Sequence, residues 1–175
     1  DTPKGRRQRG EKTAAILKQK THFLFLGQEI GFGYWDSPLI VPDGSRHYAD
    51  EHAIDDPVYI YVANARPGAR APHCWVATAA KPDARISIHS LFGKEFVLLT
   101  HGAHGADWAN ELRTPVGSTT VRHHHVGTPG SKADVIDLDD TWPRYYGVDN
   151  DGAVLIRPDG HVSWRACTAP ATHSG

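Results

Sequence analysis

Histidine is the residue type with the greatest chemical potential in this sequence, which contains twelve of them. Three are consecutive, His123, His124 and His125, and lie in a segment that predicts a strand. Alternate side chains of a strand point to the same face, so His123 and His125 could form half of a zinc site. His101 or His104 could supply a third ligand from a neighbouring strand end. Because no HExxH or Cys/His spacing accompanies them, we favour exposed strand histidines and predict no metal ligand.

Thiol chemistry is the second possibility, but the chain has only two cysteines, Cys74 and Cys167. A reactive thiolate usually lies at a helix N-terminus, where its pKa is lowered. The corresponding place here, residues 100–108 after a predicted central strand, contains no cysteine. We therefore predict that the two cysteines are not a redox pair. Their wide separation also argues against a disulfide framework and favours a reducing, cytoplasmic location.

Two further patterns resemble ligand sites but lack essential residues. Residues 31–36, GFGYWD, contain two of the three glycines of a GxGxxG dinucleotide turn, without a strand-to-helix transition around them. The closely spaced carboxylates after residue 133 lack the glycine and glutamate positions of a calcium loop. We predict a solvated acidic loop there, formed by Asp134, Asp137, Asp139 and Asp140. No catalytic, cofactor-binding or metal-binding residue is therefore predicted in this chain.

Composition and charge exclude several classes of protein. With 39% hydrophobic and 22% charged residues the chain is globular, and its 175 residues suffice for one domain and an appendage. A net charge of −1 gives no electrostatic reason to expect a nucleic-acid or membrane partner. The basic run near the N-terminus predicts a solvated helix start, and no apolar run is long enough to span a membrane.

Hydrophobic periodicity indicates the elements that position these residues. A helix is predicted over residues 11–30, with Ile16, Phe23, Leu26 and Ile30 near one face. Further helices are predicted over 106–112 and 141–146, and a short strand and turn over 38–44. Strands are predicted over 58–62, 86–92, 96–100, 119–126, 153–157 and 161–166. The last two strands flank a Pro-Asp-Gly turn typical of a hairpin. From residue 66 the order β-β-α-β-α-β-β fits an α/β, thioredoxin-like sandwich with a mixed central sheet.

Aromatic residues are predicted to fill the core of this sandwich. They are Trp75, Phe92, Phe96, Trp142, Tyr146 and Trp164.

Three stretches together resemble one family. They are ARPGARAPHCW (65–75), LFGKEFVLLTHG (91–102) and YGVDNDGAVLIRPDGHVSWR (146–165). They resemble the C-terminal region of FAD-dependent aromatic-ring hydroxylases, the monooxygenases of phenols, chlorophenols and aromatic polyketides. The resemblance covers about residues 27–166 and implies a thioredoxin-like domain that follows an FAD- and substrate-binding part. It implies a parent that hydroxylates a phenolic ring with NAD(P)H and O2, and a segment that is structural and, in some members, contributes to dimer contacts.

The resemblance also implies an organisation of the chain. Residues 1–65 would be the end of the catalytic part and a connecting segment, and residues 66–175 the thioredoxin-like domain. Since the chain begins at Asp1 and has no methionine, we expect a piece of a longer protein. In the intact parent, the apolar face of the helix over 11–30 would pack against the catalytic part. In the separate segment, this helix would self-associate or dock back onto the small domain. His73 could bond across the domain junction, although a local partner is favoured.

Two other classes of function stay open at this point. One is a free-standing thioredoxin-like binding module without redox activity, and the other is a metal-binding protein that uses its histidines.

Overall fold

The computed structural model describes residues 2–20, 25–45, 57–111, 120–148 and 151–168. The described helices are α1 (Pro3–Lys20), α2 (Leu26–Ile30), a 3-10 helix (Ile88–Leu91), α3 (Gly105–Glu111) and α4 (Trp142–Tyr146). The strands are β1 (Trp75–Thr78), β2 (Lys81–Ser87), β3 (Phe96–His101), β4 (Val121–Gly127), β5 (Val135–Asp137), β6 (Ala153–Ile156) and β7 (Val162–Ala166). No described helix is long and apolar enough to cross a membrane.

All seven described strands belong to one mixed sheet in the order β2-β1-β5-β4-β3-β6-β7. β3 and β4 are parallel, as are β4 and β5, whereas β6 runs antiparallel to both β3 and β7. This arrangement confirms the predicted α/β class with a mixed central sheet. It also confirms that the closing hairpin pairs antiparallel and extends the sheet that contains β3. The hairpin turn is closed by Gly160, whose N–H donates to the Arg157 carbonyl at 2.9 Å and whose φ is +80°.

The main core lies on one face of this sheet. Alternate residues of β3, Val97 and Leu99, point into it together with side chains from β1, β4, β6 and β7. Trp142 and Tyr146 of α4 are fully buried there and stack with ring centroids 3.8 Å apart. α3 packs against β3 on the opposite face. The central strand is therefore covered on both sides, as its nearly continuous apolar sequence predicts.

One predicted core residue is on the surface. Trp75 is 38% exposed, because the alternation of β1 turns Val76 into the core and Trp75 outward. Its indole is covered in part by the Arg85 guanidinium, which lies 5.0 Å from the ring centroid. Trp75 is thus a surface aromatic residue and the core prediction for it was wrong.

Several predicted elements differ from those observed. Residues 38–44 and 58–62 form turns and extended chain without a strand ladder, and the strand predicted over 86–92 ends at Ser87, where the 3-10 helix begins. The Ser87 side chain accepts a hydrogen bond from the His89 N–H, which favours the helical turn over continued pairing. The strands β1 and β5 were not predicted. Both are short, with four and three residues, so their apolar periodicity is weak.

The N-terminal helix also differs from its prediction. α1 begins at Pro3, earlier than expected, and ends at Lys20, while α2 covers Leu26–Ile30. Ile16 and Leu17 are 66% and 53% exposed. Residues 21–24, including Phe23 of the predicted apolar stripe, lie outside the described residues. The expected docking of this helix on another part of the protein stays a prediction.

Candidate functional site

The end of β3 and the start of α3 form the place where a thioredoxin-like domain would carry a reactive thiol. Cys74 lies far from it, buried just before β1, and Cys167 is exposed just after β7. Burial raises the pKa of the Cys74 thiol to about 12, and the Asp137 and Asp139 carboxylates act in the same direction. Since the thiolate is the nucleophile, Cys74 is inert at neutral pH. These positions support the prediction that the cysteines form no redox pair.

The residues actually present at the end of β3 form a small polar cluster. Thr100 is fully buried, and its hydroxyl lies 2.8 Å from His123 Nε2 and 3.3 Å from His125 Nδ1. The parallel register places Thr100 opposite His125. His123 and His125 therefore lie on one face of β4, as predicted from strand alternation. Burial lowers the pKa of His125, although the nearby Asp134 carboxylate opposes this effect.

Gly105, the first residue of α3, permits this cluster to form. A Cβ atom on Gly105 would lie 2.5 Å from His125 Nδ1 and 2.7 Å from Thr100 Oγ1. Any larger residue would push the helix start away from β3 and β4. Where a redox domain would place a thiol, this chain has a glycine packed against an imidazole and a hydroxyl.

The two histidines considered as a third metal ligand have other partners. His101 Nδ1 donates to the Val126 carbonyl at 2.8 Å. His104 Nδ1 lies 2.8 Å from Asp107 Oδ2, and this hydrogen bond raises the pKa of His104. Among the described residues, no group of three or more His, Cys, Asp or Glu side chains is placed to hold a metal ion. The strand histidines thus carry hydrogen bonds between elements, and the metal hypothesis gains no support.

Carboxylates already lie at the start of α3. The His104 N–H donates to Asp151 Oδ1 at 3.1 Å, and Asp107 lies in the first turn of the helix. Two carboxylates therefore lie where the pyrophosphate of FAD would need free N–H groups and positive potential. Among the described residues, the connection from β3 to α3 is where a strand leads through a glycine-containing loop into a helix. The residues at this connection do not fit the pyrophosphate of FAD.

The acidic residues after Ala133 do not form one solvated loop. Asp134 accepts hydrogen bonds from His124 Nδ1 at 2.8 Å and from the His125 N–H at 2.5 Å. Asp137 is 3% exposed in β5 and accepts from the Trp142 N–H at 2.7 Å, at the start of α4. The prediction of a solvated loop was wrong for Asp137, which is buried. Asp134 keeps a side chain that is 46% exposed, although its carboxylate accepts from N–H groups of β4. The four carboxylates consequently do not converge on a cation.

His73, considered as a contact across the domain junction, has local partners in the structure. Its Nδ1 lies 2.9 Å from Ser87 Oγ, and its ring packs edge-on against Trp75 with centroids 4.7 Å apart. Nearby, His89 Nε2 donates to the Ala71 carbonyl at 2.8 Å, which leaves Nδ1 as the acceptor for Arg70 Nη2 at 3.3 Å. Burial lowers the pKa of His89, so it is held neutral in this tautomer. These histidines fix the segment that leads into β1.

The segment before that leader lies along the outer edge of the hairpin. We call residues 32–45 the strap. The Tyr34 N–H donates to the Gly68 carbonyl at 2.9 Å, and the Val41 N–H donates to the Ser163 carbonyl at 2.8 Å. The Ser163 hydroxyl in turn donates to the Leu39 carbonyl at 2.5 Å. Gly68 and Ala69 pair with Val162, and together with the strap they cover the outer edge of β7, which would otherwise present unpaired backbone groups.

A buried ion pair holds the C-terminal end of the strap. Arg165 Nη2 and Nε lie 2.6 Å and 2.8 Å from Asp43 Oδ2, and both side chains are 10% exposed. Arg165 Nη1 also donates to the Tyr146 carbonyl at 3.1 Å. Burial alone would raise the pKa of Asp43, but hydrogen bonds from Ser45 and the Arg165 charge outweigh it and lower the pKa. The pair joins the strap, β7 and α4.

Comparison with known proteins assigns the chain to a family. Residues 64–174 match the family profile "Aromatic-ring hydroxylase, C-terminal". The chain is 32% identical over 167 residues to phenol 2-monooxygenase from Pseudomonas sp. strain EST1001, covering 95% of this chain and 26% of that protein. It is 35% identical over 177 residues to 2,4-dichlorophenol 6-monooxygenase from Cupriavidus pinatubonensis, covering 99% of this chain and 28% of that protein.

A solved structure gives the same assignment. The flavin-dependent monooxygenase PieE, solved in complex with FAD and substrate, superposes with a TM-score of 0.74 at 35% identity, covering 96% of this chain and 28% of that one. The chain thus spans about a quarter of the length of the relatives it matches. These matches confirm the resemblance of the three sequence stretches. The chain belongs to the aromatic-ring hydroxylase family, of which it represents the C-terminal domain.

Proposed function

We propose that this chain is the non-catalytic C-terminal part of an FAD-dependent aromatic hydroxylase, and that it packs against the FAD-binding part of the same protein. The parent would hydroxylate a phenolic ring with NAD(P)H and O2, and bound FAD would supply the oxygen-transfer chemistry. This segment would contribute stability and domain contacts. We propose the same division as above, with residues 1–65 joining the catalytic part to the domain over 66–175.

The observation that carries this proposal is the distribution of exposed apolar side chains. Of the eleven large exposed hydrophobic residues among the described residues, seven fall between residues 26 and 60. They are Leu26, Phe32, Tyr34, Leu39, Val41, Val58 and Ile60, exposed by 39% to 54%. Clustered apolar exposure usually marks an interaction site. The profile match begins at residue 64, so these residues precede the domain core in sequence.

The described residues at the start of α3 and at Cys74 support the same assignment. The start of α3 holds carboxylates where a dinucleotide would need free N–H groups, and the hydroxyl of the neighbouring Thr100 lies within hydrogen-bond distance of two imidazoles. The buried thiol has a pKa of about 12. We therefore expect no flavin binding when FAD is titrated into the purified chain, and no oxidation of NAD(P)H with phenol. A yellow protein with stoichiometric FAD would contradict the proposal.

Docking is tested with the FAD-binding part of the parent, produced as a separate chain. We expect the two chains to form a 1:1 complex in sedimentation velocity experiments. The variant Leu39→Ser/Val41→Ser should bind more weakly, because both side chains are about half exposed and belong to the proposed contact. Val121→Ser, which changes an exposed apolar side chain on β4, outside the strap, serves as the control.

Two outcomes of this experiment would contradict the proposed contact. Equal binding by the strap variant and the control would place the contact elsewhere. Sedimentation of the 175-residue chain alone as a dimer that the strap variant dissociates would instead assign the same surface to a second copy.

A further inference from the structure

His161, the residue before β7, is buried against the strap without satisfying its ring nitrogens. It is 5% exposed, and neither Nδ1 nor Nε2 has a hydrogen-bond partner among the described residues. Its ring packs against Tyr34 and Phe32, with centroids 4.7 Å and 5.3 Å away. Buried polar groups in proteins are nearly always paired, so this histidine calls for an explanation beyond packing.

We propose that the strap is a pH-sensitive latch, which is closed over His161 while the imidazole is neutral and opens at its N-terminal end, residues 32–34, when the imidazole takes up a proton. A neutral imidazole among two aromatic rings loses only its hydrogen bonds to water. An imidazolium there would lose the solvation of a full charge, which is far more costly. Opening the strap returns the ring to water.

The charges around His161 do not compensate for this loss. From the hairpin turn, Asp159 Oδ1 lies 3.5 Å from His161 Nδ1, too far for a good hydrogen bond. The other oxygen of Asp159 accepts from Arg157 Nη2 at 2.6 Å, so this carboxylate already has a cationic partner. The leader residue Arg70 pairs with His161 through the backbone.

The strap itself offers aromatic rings to His161 but no further carboxylate. The face of Tyr34 is occupied by the Arg157 guanidinium, 5.2 Å from its centroid. The direction of the titration agrees with this geometry, since burial lowers the pKa of His161 although Asp159 opposes it.

The two ends of the strap are held with unequal strength. Near Phe32 and Tyr34 the described backbone bonds to the domain are the Tyr34 N–H to the Gly68 carbonyl and the bridge between Gly33 and Ala69. The C-terminal end is held by the ion pair of Asp43 and by two bonds to Ser163. Opening therefore stays local to residues 32–34. Because Phe32 and Tyr34 belong to the docking surface, the latch would also weaken docking in acid; only this last step rests on the proposed function.

Amide hydrogen exchange of the 175-residue chain between pH 8 and pH 5 tests the latch. The Tyr34 amide reports on the N-terminal end of the strap, and the Val41 amide is an internal control. After correction for intrinsic exchange, protection of Tyr34 should fall by up to about tenfold per pH unit below the ordinary histidine pKa, because opening takes up one proton. Protection of Val41 should stay constant. Protection of Tyr34 that is independent of pH would overturn the proposal.

The variant His161→Phe keeps an aromatic ring and removes the titration. Its Tyr34 amide should stay protected down to pH 5, and an acid response equal to that of the unmodified chain would refute the latch. A second measurement needs no variant: the imidazole resonances of His161 should titrate below pH 6.5, the ordinary value. Titration at or above that value would equally overturn the proposal. Docking that is absent at every pH, or that does not weaken in acid, while the Tyr34 response is intact would count against the proposed function alone.

Discussion

The ion pair of Asp43 and Arg165 offers the most quantitative test of how the strap is attached. Asp43→Asn removes the negative charge but preserves the size and shape of the side chain. It leaves the Arg165 guanidinium buried, with the Tyr146 carbonyl and a neutral amide oxygen in place of the carboxylate. We expect this single change to destabilise the whole domain, because Arg165 lies on β7 and also contacts the end of α4.

The expected loss follows from the burial of both partners. Removing one member of a buried pair typically costs roughly 3–5 kcal/mol, because the other charge is left uncompensated. Arg165 keeps one carbonyl partner and a little water access, so we expect the lower end, about 3 kcal/mol. For a chain of this length, each kcal/mol lowers the melting temperature by about 2–4 °C. The melting temperature should accordingly fall by roughly 6–12 °C.

The loss should also depend on pH in a defined direction. The pKa of Asp43 is lower in the folded state than its ordinary value of 3.8. The contribution of Asp43 to stability is therefore complete above pH 3.8 and is lost as the pH falls through the lowered pKa of the folded state. The difference in the free energy of unfolding between the chain and Asp43→Asn should therefore be constant near neutrality. It should shrink only below about pH 4.

Urea unfolding at pH 7 measures this difference, and an exposed ion pair provides the matched control. Asp139 lies 2.8 Å from Arg85, but their side chains are 39% and 55% exposed. Asp139→Asn should cost at most about 1 kcal/mol, as is usual for surface pairs. If Asp43→Asn were no more destabilising than Asp139→Asn, the strap would not be anchored by this pair. The double variant Asp43→Asn/Arg165→Met should recover part of the loss, since it removes the unpaired charge.

Three further predictions concern the core and the thiols. Gly105→Ala should cost roughly 1–3 kcal/mol in urea unfolding, because the new Cβ would lie 2.5 Å from an imidazole nitrogen; unchanged stability would contradict that close approach. Cys167 should react with a chromogenic disulfide reagent in the native protein and Cys74 only after unfolding, whereas equal rates would mean that Cys74 is accessible. Tyr146→Phe should lower the free energy of unfolding by roughly 1–3 kcal/mol, because it removes a buried 2.8 Å hydrogen bond to the Pro72 carbonyl. Such a bond typically contributes ~1 kcal/mol. A loss below about 0.5 kcal/mol would therefore mean that this carbonyl finds another partner.

The parts of the fold that were predicted correctly are those determined by nearby residues. The apolar run of β3 and the Pro-Asp-Gly turn between β6 and β7 act over a few positions, and both elements are present as expected. The same locality explains the prediction that His123 and His125 share a face, since it needs only the alternation of one strand. β1 and β5 are short, and besides their pairing with β2 and β4 they pair with each other across about sixty residues, which short segments do not reveal.

The polar contacts were harder to predict for the same reason. Asp134 was assigned to a solvated loop, but it binds His124 and the backbone of His125 because β4 and β5 lie side by side. Nothing in the sequence near His161 indicates that Phe32 and Tyr34, more than a hundred positions earlier, would cover it. The aromatic pair at the start of the strap and the histidine at the hairpin turn are visible in the sequence, but only the tertiary fold brings them together.

The strap also shows why a wrong secondary-structure prediction carried useful information. Residues 39–41 are apolar in succession, a pattern typical of a strand buried on both faces. The structure buries Ile40 to 8% exposure and leaves Leu39 and Val41 more than half exposed, so the domain covers only one face. The second face has the composition of a core but lies on the surface. The proposed contact with the FAD-binding part would bury this exposed apolar face. Residues 39–41 would then have the burial on both faces that their sequence predicts, although they form no strand ladder with the sheet.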